Sequence, residues 1–194
     1  MPAIMDAPAT VRAPRAVMWT REDCDRMDRT GLLPGKWELV SGEIISKMGQ
    51  NLPHAGRVSR LFSWLISIFG ADAVLTHCSI DVAPEDNPTS KPEPDLTVVS
   101  GGWTAMEQNP TPREIVLVVE VSDTTLEFDL TVKAALYARA GIPEYWVLDI
   151  NGQRLHQFRQ PAAGGWASRT MIQAEEPLSP EGRSEQITVS QLLS

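Results

Sequence analysis

The chain has 194 residues, with 17 Lys and Arg against 25 Asp and Glu, for a formal net charge of −8. That length suits one domain with a sizeable core, no apolar run reaches the ~18 residues of a bilayer-spanning helix, the N-terminus lacks a secretory layout, and an acidic total argues against a general nucleic-acid coat. The only cysteines, Cys24 and Cys78, match no metal-ligand or redox spacing and read as reduced thiols of a cytoplasmic protein.

Residues 1–18, rich in Pro and Ala and carrying Arg12 and Arg15 without an apolar stripe, are expected to form a disordered tail, with 19–194 as a single domain. Thr20 followed by Asp23 has the spacing of a helix cap and predicts a helix over Arg21 to Arg29, stopped by Gly31. Trp37 to Val40 and Glu43 to Ile45, around Ser41-Gly42, predict a hairpin. From Pro53, the residues Val58, Leu61, Phe62, Leu65, Ile66 and Phe69 recur at helical spacing until Gly70. Strand-like runs follow at 73–82, 95–99 and 115–121, then a second helix over 126–140, ended by Gly141 and Pro143. Glu144 to Ile150 and Arg154 to Phe158 flank the hairpin dipeptide Asn151-Gly152, and Ile187-Thr188-Val189 reads as a late edge strand. Two long helices among at least six strands predict an α/β fold, a mixed β-sheet flanked by helices with additional β-hairpins.

The run Ile115 to Val121 reads as a central strand covered on both faces, yet it contains Glu120. A buried, unpaired carboxylate costs roughly several kcal/mol unless a cation or donor compensates it. Asp95, after Pro94, opens the preceding strand, and two such acids on neighbouring strands suggest a metal. On the second helix Lys133 shares a stripe with Leu126, Leu130 and Tyr137, so its ammonium faces the sheet, where Asp95 and Glu120 are its available partners.

Each of these residues also has a plainer reading. Asp95 can open a strand through a turn contact. Lys133 can pair with Asp129 at i, i+4, a contact worth ~0.3 kcal/mol. Glu38 can be a hairpin-edge acid, and His54 a capping or core histidine at a helix start. Tyr137, Tyr145 and Trp146 read as packing residues, and Ser122 to Thr125 as a helix cap or a phosphate contact. The candidate cations for a DNA surface, Arg57, Arg60, Lys47 and Lys91 with Arg12 and Arg15, form no dense cluster. No zinc ligand set, phosphate-binding glycine loop or nucleophilic triad is present.

Taken together, the series Trp37-Glu38-Leu39-Val40-Ser41-Gly42-Glu43, His54, Pro94-Asp95-Leu96, Val119-Glu120-Val121-Ser122, Asp129, Lys133, Tyr137 and Gly141 to Asp149 resembles the Uma-two family. That family is a bacterial branch of the restriction-endonuclease-like PD-(D/E)XK superfamily, and the resemblance runs roughly from residue 20 to 194. It implies a restriction-endonuclease-like core in which Asp95 and Glu120 hold Mg, or Mn in its place. The carbonyl of Val121 is implied as a further ligand and Glu38 as a third carboxylate. The superfamily's lysine, two residues after the Glu, would stand at Ser122; in Uma-like sequences a helix lysine takes its place, here Lys133. The implied function is a Mg-dependent endonuclease hydrolysing phosphodiester bonds in DNA, acting as a homodimer because cutting both strands needs two sites. One alternative is a catalytically inactive nuclease-fold module that binds nucleic acid or a protein partner, favoured by the acidic charge and by Ser122. Another is a hydrolase of a different phosphate ester.

Overall fold

The computed structural model describes residues 16–33, 35–47 and 51–194; most of the expected N-terminal tail, with Arg12 and Arg15, lies outside them. Helix α1 (Arg21–Arg29) starts on a reciprocal cap, in which Thr20 Oγ1 accepts from the Asp23 amide and the Asp23 carboxylate accepts from the Thr20 amide, both at 3.2 Å. Strands β1 (Lys36–Val40) and β2 (Glu43–Lys47) pair antiparallel across Ser41-Gly42. Both turn residues have positive φ, 50° and 81°, as a two-residue hairpin turn requires. A Cβ on Gly42 would also fall 2.8 Å from Met18 Cβ, so glycine is needed there twice over.

Helix α2 (Leu52–Phe69) is capped by Asn51, whose side chain accepts from the His54 amide, and it buries Val58, Leu61 and Leu65. The main sheet has the order β3-β4-β5-β6-β7-β8, built from Val74–Thr76, Leu96–Val99, Ile115–Ser122, Glu144–Asp149, Arg154–Ala162 and Gly165–Ile172. Only β5 and β6 run parallel. A parallel pair needs a crossover, supplied by α3 (Leu126–Phe128), a π-helical segment (Asp129–Lys133) and α4 (Ala134–Ala140). Strands β9 (Pro177–Leu178) and β10 (Ile187–Thr188) pair apart from the main sheet, and α5 (Val189–Leu193) follows.

Two cores result, one on each face of the sheet. Leu117, Val119 and Val121 of β5 pack with α2 and α5, while Val118 packs on the other face with Ala134, Leu136 and Tyr137 of the crossover helix. Glu120, two residues after Val118, therefore projects toward the crossover helix.

Three expectations need correction. The run 73–82 is a strand only over Val74–Thr76. His77 takes φ 47°, which ends the extended chain, and the buried Ile80 and Val82 that made the stretch look strand-like fill the second core from a loop. The Asn151-Gly152 hairpin forms, but Asp149 pairs with Arg154, leaving a four-residue loop. There the positive φ falls on Gln153, and glycine is required at 152 because a Cβ would lie 2.1 Å from Asp149 Oδ2. The late strand forms at Ile187–Thr188, paired with β9 in a separate two-stranded ribbon, but Val189 begins a helix instead of extending it.

Candidate active site

The sheet, the hairpin and the crossover helix converge on one pocket of about 370 Å³, lined among others by Glu38, Lys47, His54, Asp95, Glu120, Val121, Asp129 and Lys133. Its centre is Lys133, only 3% exposed. Its Nζ lies 2.8 Å from Glu120 Oε1, 2.8 Å from Glu38 Oε1 and 3.9 Å from Asp129 Oδ1. Burial by itself would lower the pKa of the amine, but the carboxylates of Glu120 and Glu38 outweigh that cost and hold it well above the usual lysine value.

The π segment sets this grouping. Eight α-helical residues at about 100° each would leave Asp129 and Tyr137 some 80° apart around the axis. The wider turn over Asp129–Lys133 takes up that drift, and Asp129, Lys133 and Tyr137 are all buried. Tyr137 donates its hydroxyl to Glu120 Oε1 at 3.2 Å. Asp129 accepts from Thr125 Oγ1 at 2.7 Å.

Glu120 Oε1 thus accepts from both Lys133 and Tyr137, while Oε2 has no hydrogen-bond donor among the described residues. Burial, with Asp129, Asp95 and Glu38 adding repulsion against the opposing pull of Lys133, pushes the Glu120 carboxyl up to about 8. Asp129 is also raised, by burial first, against Lys133 and Thr125.

Asp95, immediately before β4, has a different set of partners. Its Oδ2 accepts from the Val121 amide at 2.8 Å and lies 3.3 Å from His54 Nε2, and its Oδ1 lies 3.6 Å from His77 Nδ1. Burial favours its neutral form, but His54, the Val121 amide and Lys47 more than offset this and hold the carboxyl below its ordinary value. Reciprocally, the hydrogen bond to Asp95 raises His54, against burial, whereas burial lowers His77. Because the N–H and C=O of one strand residue lie on the same edge, the Val121 carbonyl faces the Asp95 side of β5.

The structure therefore brings Asp95, Glu120, Glu38, Lys133 and Val121 to one pocket. Lys47 lines it too, hydrogen-bonding the Glu93 carbonyl at 2.6 Å. Arg57 bends back to the Pro53 carbonyl, and Arg60 is exposed on α2. Ser122, at the superfamily's lysine position, lies 3.3 Å from Thr125 Oγ1 in the loop that leads into the crossover helix. Tyr145 and Trp146 are packing residues, Tyr145 against Tyr137, Phe158 and Trp166, and Trp146 against Trp64. Of the two partners expected for Lys133, Glu120 is in contact and Asp95 is not, being held by His54, His77 and the Val121 amide; the plainer Lys133–Asp129 pair also forms, but buried rather than on an exposed face. Sequence reasoning missed the histidines as partners of Asp95 and Tyr137 as a donor to Glu120. For Tyr137 its place on the Lys133 stripe was the available signal; for His77 there was none.

A mixed sheet with its acids on adjacent strands and a lysine on the crossover helix defines a restriction-endonuclease-like fold. A crystal structure of a "putative nuclease belonging to DUF820" from Anabaena variabilis shares this fold, with 13% identity, a TM-score of 0.64, and coverage of 86% of this chain and 96% of that one. The Uma2 family model, described as "Putative restriction endonuclease", matches residues 24–190, and the chain belongs to that family. Fold and family together support a nuclease-like role. No curated protein matches the sequence.

Proposed function

We propose that this protein is a metal-dependent endonuclease that hydrolyses phosphodiester bonds in DNA. The observation that carries the reading is the charge balance of the pocket: Glu38, Asp95, Glu120 and Asp129 are all buried, Lys133 is the one buried ammonium beside them, and the only other lysine lining the pocket among the described residues, Lys47, is bonded to Glu93. Burial first, and then repulsion from Asp129, Asp95 and Glu38, raises the Glu120 carboxyl, so a cation that compensated its charge would be stabilised there.

The donors fit magnesium. Among the described residues no three His, Cys, Asp or Glu side chains form a ready ligand cage, and magnesium needs none, since it binds through one or two carboxylates and keeps several waters. Asp95, Glu120 through Oε2, and the Val121 carbonyl are the residues that would hold it. A bound divalent ion supplies charge neutralisation at the scissile phosphate and a water of lowered pKa.

The chain's own groups do the positioning. Lys133, kept protonated by its carboxylates, orients the attacking water and stabilises the charge that builds on the phosphate oxygens. Glu38 and Asp129 fix the ammonium, and Glu38 is itself anchored by the Glu93 amide at 3.1 Å. This reading treats 19–194 as one domain. A homodimer would supply the second site needed to cut both strands of a duplex. Among the described residues both cysteines are unpaired and no helix is long and apolar enough to cross a membrane, which suits a reducing, cytoplasmic setting.

The second reading, a non-catalytic module, is favoured by Ser122 at the superfamily's lysine position. One assay separates the two: purified protein with plasmid and single-stranded DNA, in Mg or Mn, beside an Asp95→Ala/Glu120→Ala double variant. Cleavage by the wild type alone supports the nuclease. Equal cleavage by both indicates contamination, and inactivity on every substrate favours the module.

A further inference from the structure

The chain has four lysines, Lys36, Lys47, Lys91 and Lys133, and each lines one of two cavities of this acidic protein. Lys133 and Lys47 line the active-site pocket. Lys36 and Lys91 line a second cleft of about 330 Å³, formed with Gly35, Trp37, His77 and Glu93 among others. The 93–95 segment serves both cavities, Glu93 lining the cleft and Asp95 the pocket; Lys47 of the pocket bonds Glu93, and His77 of the cleft lies 3.6 Å from Asp95 Oδ1.

Within the cleft Trp37 is held in place. Its Nε1 donates to Asp28 Oδ1 at 3.0 Å, and Lys91 Nζ stands 5.5 Å from the ring centroid. Asp25 pairs with Lys91 at 2.9 Å, while Lys36 is exposed and has no carboxylate partner among the described residues. Trp37, with Lys91 at its ring and the unpaired Lys36 in the same cleft beside the acids Asp28 and Glu93, offers a stacking face and a phosphate contact, the chemistry that takes an unstacked base.

The pocket beside it is deep. The side chains of Glu38, Glu120, Asp95 and Lys133 are only 4–6% exposed. A base that stacks on Trp37 must first leave its helix, which costs a duplex roughly a few kcal/mol of unpairing and unstacking and a single strand far less. A single strand bends freely and can splay a base onto a neighbouring ring.

On the nuclease reading above, we infer that the substrate is single-stranded, with the scissile phosphate in the Asp95–Glu120 pocket and the base of a flanking nucleotide against Trp37 in the Lys36–Lys91 cleft. A monomer suffices for such a cut, because one strand needs one site.

The test uses a fluorescein-labelled single-stranded oligodeoxynucleotide and the blunt duplex of the same sequence. Binding is read by anisotropy on the full chain carrying Glu120→Gln to block cleavage, and cleavage is read on the Glu120 protein. The single strand is expected to bind at least tenfold more tightly than the duplex. Trp37→Ala should weaken that binding about tenfold, the order of one base–aromatic stack, while Trp37→Phe stays within about threefold. Lys36→Ala should flatten the slope of log affinity against log salt by about 0.7, the contribution of one single-strand phosphate contact. Circular dichroism checks that each variant is folded, and Lys36→Ala and Trp37→Phe carry the test should Trp37→Ala fail to fold. DNA that is bound and cut with duplex equal to single strand, or with binding indifferent to Trp37 and Lys36, overturns the inference and leaves the nuclease reading standing. Failure to bind or cut any DNA removes both.

Discussion

Replacing Glu120 with Gln keeps the shape of the side chain and removes its charge. In the folded protein this carboxyl titrates at about 8, against an ordinary value of 4.5. Its folded pKa lies above its unfolded one, so between those values the native state holds a proton that the unfolded state has released. The associated stability is complete below about pH 4.5 and is lost as pH rises through about 8. At roughly 1.4 kcal/mol per unit, wild type should lose about 2 to 3 kcal/mol relative to Glu120→Gln over two pH units within that window. The variant also weakens the bonds from Lys133 and Tyr137 to Oε1, by about 1–3 kcal/mol, but that loss does not vary with pH and cancels from the slope. Urea unfolding of both proteins with EDTA, at several pH values between about 5.5 and 8.5, measures the difference directly. Parallel stability curves for the two proteins would refute the charge argument, because Glu120 would then carry no displaced proton. Adding magnesium should raise wild-type stability at the alkaline end, by about 2.7 kcal/mol at a hundredfold excess over Kd, and raise the variant far less.

Lys133→Ala leaves Glu38 and Glu120 buried with no cation beside them, so at alkaline pH it should lose about 3–5 kcal/mol in urea unfolding, along with any DNA cleavage; a change under about 1 kcal/mol would contradict the buried cluster. By NMR titration His54 should ionise above 6.5 and His77 below it. Asp95→Asn should bring His54 down, and a His54 titration indifferent to that change would break the assigned pair. Gly42→Ala meets both a φ of 81° and the Met18 side chain, so its thermal midpoint should fall by the equivalent of about 1–3 kcal/mol; an unchanged midpoint would place the hairpin turn elsewhere.

Much of the fold was legible because local chemistry and tertiary environment agreed. The Thr20 cap, the Ser41-Gly42 turn, the α2 stripe and the hydrophobic runs of β4, β5 and β6 each carry a signal that survives in isolation. Strand β8 did not, because as an edge strand it keeps only Trp166 and Ile172 buried and so shows no alternation. The 73–82 run misled for the opposite reason: its apolar residues are buried, but from a loop.

The candidate site divides in the same way. That Glu120 would need compensation followed from one acid in a run of Val, Ile and Leu, because burying a charge is costly wherever the strand ends up. Lys133 could be named as its counter-charge from the helical stripe, but the full grouping could not, since Glu38, Glu120 and Asp129 come from a hairpin, a central strand and a π-helical turn, and only packing brings them within 4 Å of one nitrogen. The histidines beside Asp95 belong to the same class: His77 reaches it through a left-handed backbone that no local propensity favours. Sequence alone thus determined the elements and the need for a counter-charge, because both depend on neighbours along the chain and on the cost of burial. Tertiary structure alone decided the rest of the partner set, and that Asp95 falls to histidines rather than to Lys133, because electrostatic contact depends on distance in space and not on separation in sequence.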